Sequence, residues 1–471
     1  MNRVRTLVGT LSTLPLTLAV ACQSSEPPSL EGLWQTEGYG LLVEVADSTV
    51  GLTEITAVSC MPREDELQRA GVEADGSWQL RRGNDPAGAH LFLESADRAR
   101  LQPAGTASSI YLRRISRRPD VCDRVQDNTP EAVFDVFWAT YAEHYPFFDM
   151  KGVDWMAVRD EMRPLLTDST PPDELFDLLV DAIRPLHDTH TSLSDEESGR
   201  REMFMRPDPE LADVESVGEA LNMLGQRFER AVEIVETRYI QGNLRSFCNG
   251  HLRYGELPGD IAYIWLDQEG GYTNQPGFAA QLGTMEAALD TIFTAAEDAR
   301  GVILDVRKNF GGSDILSLAM ASRLATSRYV AYAKVARLDP QDPQIFTEPQ
   351  ERVVPTTTRP GFRGPVVELI GRYTISAGET LTQALLGREP HITRIGEHTQ
   401  GVFSDVQGRS LPNGWSFGLP NELFLTEDGR SFDGTGIPPD IEVPVFRPAD
   451  LEAGLDPALE AALAHIGAPE G

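Results

Sequence analysis

Ser376 lies between an apolar β-type run, Pro365-Val366-Val367-Glu368-Leu369-Ile370, and a helical pattern, Thr380-Leu381-Thr382-Gln383-Ala384-Leu385-Leu386. A hydroxyl at a helix start stands beside backbone N–H groups that have no intrahelical acceptor, so one turn can supply both a nucleophile and an oxyanion donor. A serine in that position can equally be a plain N-cap, its side chain accepting from the first helical turn. Upstream, the strand-like Gly301-Val302-Ile303-Leu304-Asp305 runs through Arg307-Lys308-Asn309-Phe310 into Gly311-Gly312, with a helical segment from Asp314 to Ala325. Paired glycines after a strand can aim amides at an anion. The phosphate-loop and dinucleotide fingerprints are both absent here, which makes nucleotide binding a poor fit. A plain turn remains, or half of an oxyanion hole whose other half is the amide next to Ser376. In Leu186-His187-Asp188-Thr189-His190-Thr191 a helical pattern breaks at two histidines. A neutral imidazole is the usual acceptor of a serine proton. Two histidines three apart, without a cysteine or carboxylate cluster at ligand spacing, are a weak metal signal, so neither metal nor cofactor is expected. Finally, Ser431-Phe432-Asp433-Gly434-Thr435-Gly436-Ile437-Pro438-Pro439-Asp440 is a turn leading into a strand. Asp433 there could orient a histidine, and Asp440 reads as a turn cap.

Taken in order, with Gly396-Glu397-His398-Thr399-Gln400-Gly401 and Leu411-Pro412-Asn413-Gly414-Trp415 between the last two, these segments resemble the tail-specific (C-terminal-processing) serine proteases. The resemblance runs from residue 130 to 446 and implies an α/β catalytic core of ClpP/crotonase-like ββα type. It makes Ser376 the nucleophile and the backbone amides of Gly311, Gly312 and Ala377 the oxyanion hole. The commoner design of that family uses a lysine where this chain has Val402, and a valine takes no proton. The branch that resembles the tricorn core protease uses instead a histidine, a hydroxyl just before it and a C-terminal acid. These map onto His190, Thr189 and Asp433, the last one methylene shorter than the usual glutamate. His187 has no match in the family and reads as structural. The implied reaction is hydrolysis of a protein or peptide substrate through an acyl-enzyme. Retinoid-binding modules resemble the same fold, so an inactive module that binds a hydrophobic ligand or a peptide is the alternative. An α/β-hydrolase esterase is disfavoured, since no Gly-x-Ser-x-Gly surrounds Ser376.

Several units must position these residues. After a signal peptide (1–21) and a tether (22–31), short alternating segments predict a small β-rich domain over 32–120, as barrel or sandwich. A helical domain follows over 129–194, with Phe134, Trp138, Tyr141 and Tyr145 at helical spacing as core. A charged connecting segment (195–257) contains a helix over Val217–Gln226 and no PDZ signature. The catalytic core spans 258–446, and an acidic tail (447–471) ends in a short helix near Pro457–Ile466.

At 471 residues the chain exceeds one core, and a net charge of −31 argues against nucleic acid as partner. The basic Asn2-Arg3-Val4-Arg5, a short apolar run and Ala19-Val20-Ala21-Cys22 form an export signal whose end resembles a bacterial lipobox. That resemblance implies lipidation of Cys22 and anchoring to a cell-envelope membrane, facing periplasm or exterior. Export permits disulfides. Of Cys60, Cys122 and Cys248, the pair Cys60–Cys122 is preferred because both flank the β-rich region; Cys122–Cys248 stays open. The oligomeric state is not legible.

Overall fold

The computed structural model describes residues 29–64, 66–83, 85–211 and 217–467, so the export signal and Cys22 lie outside the described residues. Among those described, eight strands form a closed antiparallel meander: Gly32–Thr36, Leu41–Val45, Thr49–Ile55, Leu67–Val72, Trp78–Arg82, Asp85–Leu93, Arg98–Pro103 and Ile110–Arg114. The last pairs back onto the first at Trp34↔Arg114, and closure removes the free edges that would otherwise invite association. Alternation sends Trp34, Val43, Val50, Leu80, Leu91 and Leu112 into a dry interior. The short strand Cys60–Pro62 pairs with the end of Thr49–Ile55, and Cys60 is bonded to Cys122 as expected. Cys248 is a free, buried thiol whose pKa is pushed up to about 12 by burial.

The helices Pro130–His144, Trp155–Met162 and Pro172–Ile183 bury Phe134, Tyr141 and Tyr145 completely. They pack against Phe417 and Leu419 of the strand Ser416–Pro420.

The remaining unit is a sheet ordered Gln241–Phe247, Leu252–Leu257, Ile261–Leu266, Gly301–Asp305, Val366–Ile370, Thr393–Gly396, Ile441–Glu442. Its first three strands are antiparallel and the pairings from Ile261–Leu266 onward are parallel. Every residue of the strands starting at Ile261, Gly301 and Val366 is buried, as expected where helices cover both faces. Phe278–Ala295, Asp314–Leu324 and Ala377–Leu385 cover one face. Val217–Ile234 and Pro457–Gly467 cover the other.

Two expectations about boundaries are corrected. The segment 195–257 is not merely a connection: its last strands extend the sheet, and its helix runs on to Ile234 because Leu224, Phe228, Ala231 and Ile234 pack on the sheet's second face. The residues after 446 are likewise not a solvated tail. Ala458, Leu459 and Ala462 are fully buried, and Asp456 pairs with the buried Arg307.

Candidate active site

The chemistry collects at the carboxyl ends of the parallel strands, where crevices form in open α/β sheets. Beyond the sheet, Lys308–Asn309 and Tyr373–Thr374 pair in parallel as a separate two-stranded ladder, and Ile375 N–H donates to Asn309 O at 2.8 Å. This ladder lays the Gly311–Gly312 turn against Ser376. A Cβ added to Gly311 would sit 2.6 Å from Ser376 Cβ, and one on Gly312 would meet the Glu269 carbonyl at 2.0 Å. Neither position tolerates a side chain.

Ser376 is not an ordinary N-cap. Its φ of 56° and ψ of −121° lie outside the capping region, and its side chain makes no cap hydrogen bond to the helix Ala377–Leu385. Its carbonyl accepts from Glu379 N and Thr380 N, as the residue at a helix start does. A non-glycine residue held at such a φ is strained by about 1–3 kcal/mol, which the surroundings must over-determine. Here Ser376 N–H donates to Val402 O at 3.1 Å, and the buried Glu379 clamps the same loop by accepting from Gly401 N at 2.6 Å and Val402 N at 2.8 Å. Burial pushes the Glu379 pKa up to about 7.

The expected oxyanion donors separate into two kinds. Among the described residues, Gly312 N–H and Ala377 N–H have no protein acceptor. Gly311 N–H is taken: it donates to Asn309 Oδ1 at 2.8 Å, while Asn309 Nδ2 donates to Leu266 O and to Glu269 Oε1. The expectation for Gly311 as a donor is therefore corrected to a spacer, held in shape by Asn309. Glu269, whose pKa burial raises to about 8, supports that asparagine.

His190 arrives on the turn before the strand Ser192–Asp195, which pairs with Ser416–Pro420 at Ser192↔Gly418. Gly418 is required there because a Cβ would meet His190 O at 2.4 Å. Asp188 shapes the turn, accepting from His190 N at 2.9 Å and Tyr145 Oη at 3.0 Å. Burial lowers the His190 pKa, opposed by Asp188 and then Asp405, so the ring is neutral at pH 7. Its Nδ1 and the Thr189 Oγ1 are both buried without a partner. No hydrogen bond joins His190 to Ser376 Oγ in this conformation, nor does Asp433 bond to His190 or Thr189. The Asp433 carboxylate accepts from Ser431 Oγ at 2.7 Å and Phe403 N at 3.3 Å. Burial raises its pKa to about 7, with Glu379 and Asp188 adding to the shift. His187 ends the turn Arg184–Leu186 in a left-handed conformation at φ 45°.

Sequence reasoning passed over Asn309, Glu379 and a buried group formed by Lys334, Asp314, Asp405 and Glu422. Lys334 Nζ lies 2.9 Å from Asp405, 3.2 Å from Glu422 and 3.3 Å from Asp314. Asp314 also accepts from Thr380 Oγ1 of the helix that follows Ser376. These residues are far apart in the chain, and the only local signal was Asn309 and Glu379 standing inside the two motifs. A cavity of about 1130 Å³ joins Ser376, Gly312 and Asp405 to the barrel.

Residues 260–443 match peptidase family S41, and residues 126–183 match the tricorn protease C1 domain. The chain thus carries a region similar to peptidase family S41, preceded by one similar to the tricorn C1 domain. The family's matched region contains the glycine turn, Ser376 and Asp433, and the C1 match ends just before His190. Tricorn protease homolog 1 of Streptomyces coelicolor is 26% identical over 391 residues, covering 70% of this chain. The chain spans about a third (34%) of the length of that curated relative. Among solved structures, a candidate peptidase from Parabacteroides merdae ATCC 43184 is 25% identical with a TM-score of 0.59, over 73% of this chain and 98% of its own. Mature CPAF, complexed with lactacystin, shares the fold at 12% identity and a TM-score of 0.50, over 72% and 97% of the two chains.

Proposed function

We propose that this chain is a serine endopeptidase working through an acyl-enzyme on a ClpP/crotonase-like core. The observation that carries the reading is the backbone of Ser376, strained to φ 56° with its side chain released from capping duty beside two unspent amides. His190 Nε2 takes the Ser376 Oγ proton as Oγ bonds to the substrate carbonyl carbon. Gly312 N–H and Ala377 N–H hold the resulting oxyanion, each worth ~10²–10³ in rate. The imidazolium returns its proton to the leaving nitrogen as the C–N bond breaks, and water, deprotonated by the same ring, releases the acyl group. Thr189 Oγ1 and Asp433 hold the imidazole by accepting from Nδ1–H through the hydroxyl. Two buried, unpartnered atoms in adjacent residues, Thr189 Oγ1 and His190 Nδ1, support this relay.

The test is labelling of the full mature chain with a fluorophosphonate, beside digestion of a peptide library. Ser376→Ala and His190→Ala are expected to lose labelling and to lower kcat/KM roughly 10⁴-fold or more. An inert, unlabelled wild type that binds apolar ligands would assign the chain to the non-catalytic alternative. Lipidation of Cys22 and anchoring to a cell-envelope membrane belong to the same proposal, supported by the lipobox-like sequence; Cys22→Ser is expected to move the protein from the membrane to the soluble fraction.

A further inference from the structure

The closed barrel is a cup, and its mouth faces Ser376. Its lower half is solid: Trp34, Val43, Val50, Leu80, Leu91 and Leu112 are completely buried and fill the lumen. Its upper layer is nearly but not completely buried, at 3–6% exposure. Leu41, Leu52, Leu67, Ala89, Leu101 and Ile110, from six different strands, line the same cavity of about 1130 Å³ that reaches Gly312 and Ser376. An eight-stranded barrel is just wide enough either to fill itself with side chains or to hold one small apolar group, and this one does the first below and the second above.

The cup is also rigidly aimed. Tyr39 Oη donates to Glu422 at 2.7 Å and Thr106 Oγ1 to Asp405 at 3.0 Å, while the single Ser108 hydroxyl proton is shared between Glu422 at 2.8 Å and Asp405 at 3.0 Å. Glu54 of the barrel accepts from Ser410 N at 3.0 Å. Lys334 lies against Asp405, Glu422 and Asp314, and Asp314 in turn holds Thr380 on the helix after Ser376. One buried polar group therefore ties the barrel rim to the element that presents the serine.

We infer that the barrel is a specificity pocket of the proposed peptidase, taking a bulky apolar side chain of the polypeptide near the bond that Ser376 attacks. The inference rests on the peptidase reading. A blind cup suits a side chain rather than a passing strand, because its floor is closed. The rim is polar, carrying Thr106, Ser108, Glu64 and Arg63, while the wall below is apolar.

The experiment profiles cleavage of a peptide library by the wild-type chain, by Ala89→Phe, which fills the cup, and by Leu67→Ala, which enlarges it. Val72→Ala, on an exposed barrel position away from the cavity, is the control. Circular dichroism melts confirm that the variants fold. The wild type is expected to favour Phe, Leu or Met at one fixed position from the cleaved bond. Ala89→Phe should lower kcat/KM for those substrates at least tenfold while leaving small residues at that position within about twofold; Leu67→Ala should shift preference toward larger side chains. Cleavage with an unchanged profile in both variants overturns the inference and leaves the peptidase reading standing. If nothing is cleaved, binding of a Phe-bearing peptide to the Ser376→Ala chain, weakened by Ala89→Phe, still supports the cup while ending the peptidase reading. Binding of free fatty acid with no binding of peptide overturns the assignment of a polypeptide occupant.

Discussion

Gly311 has a backbone φ of 80° and a neighbour, Ser376 Cβ, only 2.6 Å from where its own Cβ would be. Gly311→Ala therefore asks for a left-handed alanine and a displaced serine at once. It should cost at least ~1 kcal/mol of stability and remove activity, checked by a urea melt and by fluorophosphonate labelling. Asn309→Ala acts differently: it leaves Gly311 N–H and Glu269 buried without their partner, with an expected cost of ~1–3 kcal/mol, and loosens the turn that carries Gly312. Labelling should slow roughly tenfold or more while the serine itself stays in place. Asp433 and His190 give a pH signature. Burial lifts the Asp433 pKa to about 7 and depresses that of His190, so carboxylate loss, not imidazole protonation, should set the acid limb of kcat/KM. Asp433→Asn is expected to lower the plateau and move that limb to more acid pH; a limb that does not move would remove Asp433 from the relay.

Arg307 illustrates how elements are joined. It is fully buried, donates to Asp305 of its own strand end, and meets Asp456 at 2.6 Å just ahead of the helix Pro457–Gly467. The C-terminal helix is thereby fastened to the strand that leads into the glycine turn. Asp456→Ala leaves part of a buried cation uncompensated and is expected to cost about 3–5 kcal/mol in a chemical melt. Truncation after residue 446 would additionally strip Ala458, Leu459 and Ala462 from the sheet face, and should give insoluble protein.

At the scale of the whole chain, a net charge of −31 at pH 7 combines with buried carboxyls whose pKa values burial has raised. Glu269 stands at about 8, and Glu368, Glu379 and Asp433 at about 7. Because the folded state binds these protons more tightly than the unfolded chain, their contribution to stability is complete below the ordinary carboxylate range. It is lost as pH rises through 7 to 8. Self-repulsion of the acidic surface acts in the same direction. Tm should therefore rise when pH is lowered from 8 to 6, read by differential scanning calorimetry at fixed ionic strength. A Tm that falls over this interval would contradict the burial argument.

Local signals in the sequence determined a good deal. The apolar runs at Gly301–Asp305 and Val366–Ile370 announced buried strands, because an element covered on both faces has no polar side to show. The seam of Phe134, Tyr141 and Tyr145 announced a packed helix, and Cys60 with Cys122 a staple. The glycine pair and the serine after a strand marked where chemistry belonged, since such turns need unusual backbone. Tertiary structure alone decided the rest. Whether Ser376 caps or is released depends on Val402 O and the Glu379 clamp, and which glycine amide is free depends on Asn309. That the helices Val217–Ile234 and Pro457–Gly467 share one sheet face, and that the barrel opens on the serine, follows from contacts between segments hundreds of positions apart. No local pattern encodes such contacts, because their energy comes from surfaces that exist only once both partners have folded.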